Sequence, residues 1–226
     1  MKKISRKQLK QPDEFIGGTQ KAFLFISHHS KRIATSGVIV FIVLLAVFLY
    51  QKWDKSKEEG AYRKFSLALQ AYQNDAQKSE YKNALAKFEE VIAESPGTFW
   101  GRLALLYKGN VLLQMGSFEE AIGAYNAFLQ KNGKETTYRL FALEGLGYAC
   151  EGKKDYQKAI EAYQKIIDRG GSFELGNAYF GLGRCYEKLG KNREALENYK
   201  SFLKVSQKSQ MANAVLRKIS HLEKNG

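Results

Sequence analysis

The three histidines and two cysteines of this sequence are the residue types most often recruited for nucleophilic, acid–base or metal chemistry, and their spacing points to none of it. His28 and His29 are adjacent, so on a helix they point apart, and no carboxylate or thiol stands close by to complete a ligand set. Both read as solvated residues at a junction. Cys150 and Cys185 lie 35 positions apart and form neither a CxxC nor a CxxCH pattern, which removes the usual zinc, dithiol and haem-attachment readings. His221 is the only histidine of the second half and has no Ser, Asp or Cys partner at a spacing that suggests a triad. No Gly-rich phosphate loop of Walker type is present. Acidic neighbours such as Glu119-Glu120 fall at helix starts, where carboxylates stabilise the helix dipole and need no catalytic explanation. The expectation is a chain that is not an enzyme, with no metal and no cofactor.

The elements that must position whatever function remains begin with Ile33 to Tyr50, IATSGVIVFIVLLAVFLY. Eighteen residues without a charge reach roughly 27 Å as a helix, close to the roughly 30 Å hydrocarbon core of a bilayer. Twelve of them are Leu, Ile, Val or Phe, which favours insertion by about 4 to 7 kcal/mol in sum. Lys31 and Arg32 precede the run, and Tyr50, Lys52 and Trp53 follow it, the residue types that anchor at headgroup level. The expectation is one transmembrane helix over 33–50, in contact with membrane lipid, retained as an anchor.

Residues 1–32 form a basic arm with eight Lys/Arg against two Asp/Glu, within a chain of net charge +13. A dense basic patch beside an apolar run suits anionic headgroups better than nucleic acid, which is not expected as a partner. Pro12, Asp13 and Glu14 suit a helix start, and Phe15, Thr19, Phe23 and Ile26 recur at helical spacing. A helix in the membrane interface and a helix continuing into the span both fit this pattern. The arm's eight cations exceed the five in the twenty residues after the span, which places the arm inside and the remainder outside the cytoplasm. The count nearest the span runs the other way, with Lys21, Lys31 and Arg32 against Lys52, Lys55, Lys57, Arg63 and Lys64.

After a juxtamembrane segment, 51–64, the sequence repeats. EYKNALAKFEEVI, SFEEAIGAYNAFL, DYQKAIEAYQKII and NREALENYKSFL align on Ala84, Ala121, Ala159 and Ala195, at steps of 37, 38 and 36. Four residues on stands an aromatic in each copy, Phe88, Tyr125, Tyr163 and Tyr199, and three further Val91, Phe128, Ile166 and Phe202. Gly109, Leu146-Gly147 and Leu182-Gly183 mark the preceding helices, while the first copy has Ala71-Tyr72 at that place and closes with Pro96. This constellation resembles the tetratricopeptide repeat, whose unit is an antiparallel helix pair. An all-α solenoid of four helix pairs over 65–206 is therefore expected. SQMANAVLRKISHLEKNG supplies a capping helix over 207–226, with Met211, Val215, Ile219 and Leu222 on its apolar side.

In the tetratricopeptide family, first-helix residues line a concave surface, and the resemblance assigns that surface here. It names Leu103, Leu106, Asn110 and Leu113, then Phe141, Glu144, Tyr148 and Glu151, then Asn177, Phe180, Arg184 and Glu187. Such a lining suits an extended peptide or a partner helix. Tyr148, Phe180 and Arg184 are the leading anchors, while Leu103, Leu106 and Phe141 read equally as packing between repeats. The arm with Pro12-Asp13-Glu14-Phe15, the span ending in aromatics and the repeats together resemble the bacterial ancillary subunit of the Sec translocon. That resemblance implies an inner-membrane protein that binds the translocon and offers its repeats outside the cytoplasm to emerging chains or to a periplasmic chaperone. A scaffold for envelope or cell-division assembly, and a tethered cytosolic adaptor, are the competing readings.

Overall fold

The computed structural model describes residues 14–78, 80–131, 136–169 and 175–225, and the expected helix start at Pro12 lies outside them. The chain separates into two compact units, 1–56 and 57–226. In the first unit, α1 (Glu14–His28) closes at a turn at His29, and α2 (Ser30–Lys78) opens at once. The run 33–50 lies in α2, in a helix with an 18-residue window of mean hydropathy 2.7, none of which is buried. It is long and apolar enough to cross a membrane, a test that a signal sequence near an N-terminus also passes. Residues 51–64 are helical and belong to the same element.

The second unit is built of helix pairs. The last turns of α2 pair with α3 (Lys82–Glu94), followed by α4 (Phe99–Gln114) with α5 (Phe118–Lys131), α6 (Thr136–Gly152) with α7 (Tyr156–Arg169), and α8 (Leu175–Lys188) with α9 (Asn192–Val205). The four aligned alanines, Ala84, Ala121, Ala159 and Ala195, are all fully buried on second helices. The aromatics four residues on and the Val, Phe or Ile three further are buried with them, as one helical stripe must be. α10 (Ala212–Asn225) closes the array with Val215, Ile219 and Leu222 packed under it. Met211 is exposed and precedes this helix, because its backbone belongs to the turn that starts it.

First helices carry the glycines for a steric reason. A Cβ at Gly109 or Gly145 would stand closer than 3 Å to the Tyr125 ring, and one at Gly147 or Gly181 equally close to the Tyr163 ring. The first copy lacks these glycines and fills the space with rings. Phe88 stacks on Tyr107 at 5.5 Å and tilts against Phe65 at 5.8 Å, while Phe65 lies 5.2 Å from Trp100.

Helix starts are satisfied by carboxylates and hydroxyls. Buried Asp75 accepts from the Ala84 amide at 2.8 Å, Glu58 from the Phe99 amide at 2.8 Å, and Thr98 from the Gly101 amide at 2.9 Å. The turns inside the pairs put Gly116 and Gly190 at positive φ, 76° and 71°, and in the same register Lys154 takes φ 63°. A lysine there bears the left-handed strain that glycine avoids. Replacing it, Lys154→Gly, should stabilise the repeat unit by about 1 kcal/mol, read as a higher urea midpoint. Conversely, Ala159→Leu overpacks a site with no free surface and should cost about 1 to 3 kcal/mol, lowering the melting midpoint by roughly 5 °C. An unchanged midpoint would count against the helix-crossing register.

Candidate protein-binding groove

First helices of successive copies touch directly, α4 with α6 and α6 with α8, whereas among the described residues α5, α7 and α9 do not touch one another. An array joined this way curves toward its first helices, so their outward residues line the inner side. Along it, the sequence-derived residues divide into two kinds. Leu103 and Leu106 are core residues, the latter 3% exposed, and serve packing. Phe141 keeps 40% of its surface open to solvent. Leu113 is half-buried against the core, and Asn110 accepts a hydrogen bond from the Tyr125 hydroxyl at 2.8 Å.

The remaining residues form one polar chain across copies three and four. Glu144 accepts from the Tyr148 hydroxyl at 3.2 Å and from the Asn177 amide at 2.8 Å. Arg184 grips Glu151 with two bonds, Nε to Oε2 at 3.0 Å and Nη2 to Oε1 at 2.6 Å. Its guanidinium also lies 4.6 Å over the Phe180 ring and 5.4 Å over Tyr148, within cation–π range. Phe180 in turn packs on Tyr199 and Phe202 at 5.9 and 5.8 Å. Glu187 accepts from Tyr199 at 2.7 Å and from Lys218 of the capping helix at 2.8 Å. Arg184 thus commits two of its five donors to Glu151, and its guanidinium lies against Tyr148 and Phe180.

Two members of this chain were missed by the sequence reading. Tyr163 and Tyr199 are core aromatics whose hydroxyls reach Glu151 at 2.6 Å and Glu187 at 2.7 Å. The signal was present, because in both copies a glutamate stands twelve residues before the tyrosine. Burial pushes both phenols up, and the neighbouring carboxylate pushes them further, so they stay neutral donors. Burial opposes ionisation of Glu187, but the bonds from Lys218 and Tyr199 outweigh it and hold the carboxyl below its usual range. Arg184 is raised, the Glu151 bond outweighing its desolvation.

The cysteines are separate, buried thiols. Burial first, then the charge of Asp155, pushes Cys150 up to about 11, and burial with Glu151 pushes Cys185 up to about 12. Neither is activated as a nucleophile. Among the described residues, no group of three or more His, Cys, Asp or Glu could hold a metal ion.

Tetratricopeptide repeat models match residues 62–136 and 106–174, and a second model of the same description matches 177–219. The chain belongs to the tetratricopeptide repeat family. Solved structures agree in fold. A tetratricopeptide repeat protein from Parabacteroides merdae is similar over 72% of this chain and 61% of its own, at 16% identity and TM-score 0.59. This chain therefore spans about three-fifths of that protein. MamA from Desulfovibrio magneticus RS-1 is similar over 72% of this chain and 96% of its own, at 15% identity and TM-score 0.54. Another MamA structure covers 71% and 87%, at 19% identity and TM-score 0.55. No curated protein matches the chain. Tetratricopeptide repeat proteins typically act as protein-interaction scaffolds.

Because Glu151 and Arg184 are only 17% and 25% exposed, Arg184→Ala leaves a largely desolvated carboxylate unpaired. It should cost about 2 kcal/mol in urea unfolding, and adding Glu151→Gln should recover part of the loss. Additive costs in that double-mutant cycle would show the pair to be uncoupled.

Proposed function

We propose that this chain is a membrane-anchored tetratricopeptide scaffold of protein export. In this reading α2 crosses the inner membrane once through residues 33–50, with the basic arm in the cytoplasm and the repeats in the periplasm. The span binds the Sec translocon laterally, and the inner side of the repeats receives emerging chains or a chaperone holding them. The observation that carries the anchor is the uncharged window of α2, with no protein packed on it. Uncovered apolar length of that kind is stable only in lipid or against another apolar partner. The excess of cations in 1–32 supports the orientation.

Phe141 supports the binding role. It is a large aromatic on the first helix of the third copy, is well exposed, and needs no rearrangement to meet a partner. Binding by this surface involves positioning and burial, with no covalent step and no cofactor.

A photocrosslinking residue at Phe41, in cells, should capture a membrane subunit of the translocon, and one at Phe141 an exported chain or chaperone. Phe141→Ala should weaken the second capture roughly tenfold, the equivalent of about 1.4 kcal/mol, while leaving the melting midpoint unchanged. Repeats that are digested by protease from the cytosolic side would overturn both the orientation and the export role. Capture of envelope-assembly proteins alone would replace it with the assembly-scaffold reading.

A further inference from the structure

The span leaves α1 unexplained. This helix ends in four consecutive large apolar residues, Phe23, Leu24, Phe25 and Ile26, all more than half exposed and Phe23 at 72%. At about 100° per residue they sweep most of the helix circumference, which water does not tolerate cheaply. Yet α1 cannot be a second span. Its 15 residues reach roughly 22 Å, it contains Glu14 and Lys21, and its uncharged stretch before the turn is short.

The polar groups of α1 and the turn are distributed as an interface would require. Lys21 and His28 are seven residues apart and share one side of the helix, opposite Phe23 and Ile26, with Leu24 and Phe25 on its two flanks. Beyond the turn, Lys31 and Arg32 form no ion pair among the described residues. With Ser27, His28, His29 and Ser30, they line a surface pocket at the helix break. The hydroxyls beside it return to their own backbone. Ser27 donates to the Leu24 carbonyl at 3.0 Å and Thr35 to the Arg32 carbonyl at 2.9 Å, while a His29 ring nitrogen lies 3.1 Å from the Phe25 carbonyl. Polar groups satisfied internally suit a low-dielectric boundary, and the unpaired cations suit anionic phosphates.

We infer that α1 lies flat in the headgroup layer of an anionic phospholipid leaflet. Phe23 and Ile26 sit at the acyl boundary, and Lys21, His28, Lys31 and Arg32 face lipid phosphates. The helix break at His29 is what lets α1 lie in the plane that α2 crosses. This inference rests on the span proposed above, and the following experiment separates the two.

The test uses the full chain with Cys150→Ala and Cys185→Ala, carrying one spin label at Phe23→Cys, Phe41→Cys or Lys204→Cys, in phosphatidylcholine vesicles with and without phosphatidylglycerol. Collision with oxygen and with a water-soluble nickel chelate reports depth. The Phe41 label should be deep and the Lys204 label in water. The Phe23 label should be intermediate, and Lys21→Glu should move it toward water on the vesicles containing phosphatidylglycerol and not on the others. A Phe23 label as nickel-accessible as the one at Lys204, or as deep as the one at Phe41, overturns the inference while the span stands. A Phe41 label in water overturns the span itself. A Phe23 label at intermediate depth with no response to Lys21→Glu overturns the phosphate contact.

Discussion

Everything in the repeat unit depends on how closely two helices can approach around an aromatic ring. Tyr125 is held between Gly109 of its own copy and Gly145 of the next, and Tyr163 between Gly147 and Gly181 in the same way. Each ring is therefore shared by two copies. The contact between copies is a wedge of fixed width, which sets the spacing of successive first helices. Close packing makes such a wedge sensitive, since neither a larger residue nor a void is tolerated without strain. At the ends of the array the wedge is incomplete, and other groups finish it. Between the first copy and the second a cluster of Phe65, Phe88, Trp100 and Tyr107 occupies the room. At the last, Tyr199 meets Gly183 on one side and the Lys218 ammonium, 5.6 Å from its ring, on the other.

The tyrosine hydroxyls turn this steric device into an electrostatic one. In copies three and four each buried ring ends in a donor that meets a glutamate on the first helix, and each glutamate also meets a cation from the element that follows, Arg184 of copy four or Lys218 of the capping helix. A half-buried carboxylate is costly when unpaired, so the network ties adjacent copies by a penalty for separation more than by a large net attraction. The same ties decide what the inner surface offers a partner. Arg184 is tied to Glu151 by two bonds, while Phe141 stays open to solvent.

The first unit differs in what it exposes. Its residues 38–50 present large apolar side chains outward, and the hydroxyls of Ser27 and Thr35 bond their own helix carbonyls. In the reading proposed above, both suit a lipid environment, where polar groups must be satisfied locally.

Read alone, the sequence determined what is periodic or local. The four alanines, the aromatics behind them and the glycines of the later copies are demands of helix crossing that recur at a fixed step, so the all-α repeat fold was legible. The apolar run was legible because insertion depends on composition and length. The tertiary structure decided what depends on contacts between residues some thirty positions apart. That Arg184 faces Glu151, that Glu187 faces Lys218, and that Leu106 lies in the core while Phe141 stays open are outcomes of how one copy rotates on the next. A one-dimensional register names the residues on a helix face. It does not say which of them the neighbouring copy will cover, because that is fixed by the width of the aromatic wedge between the helices.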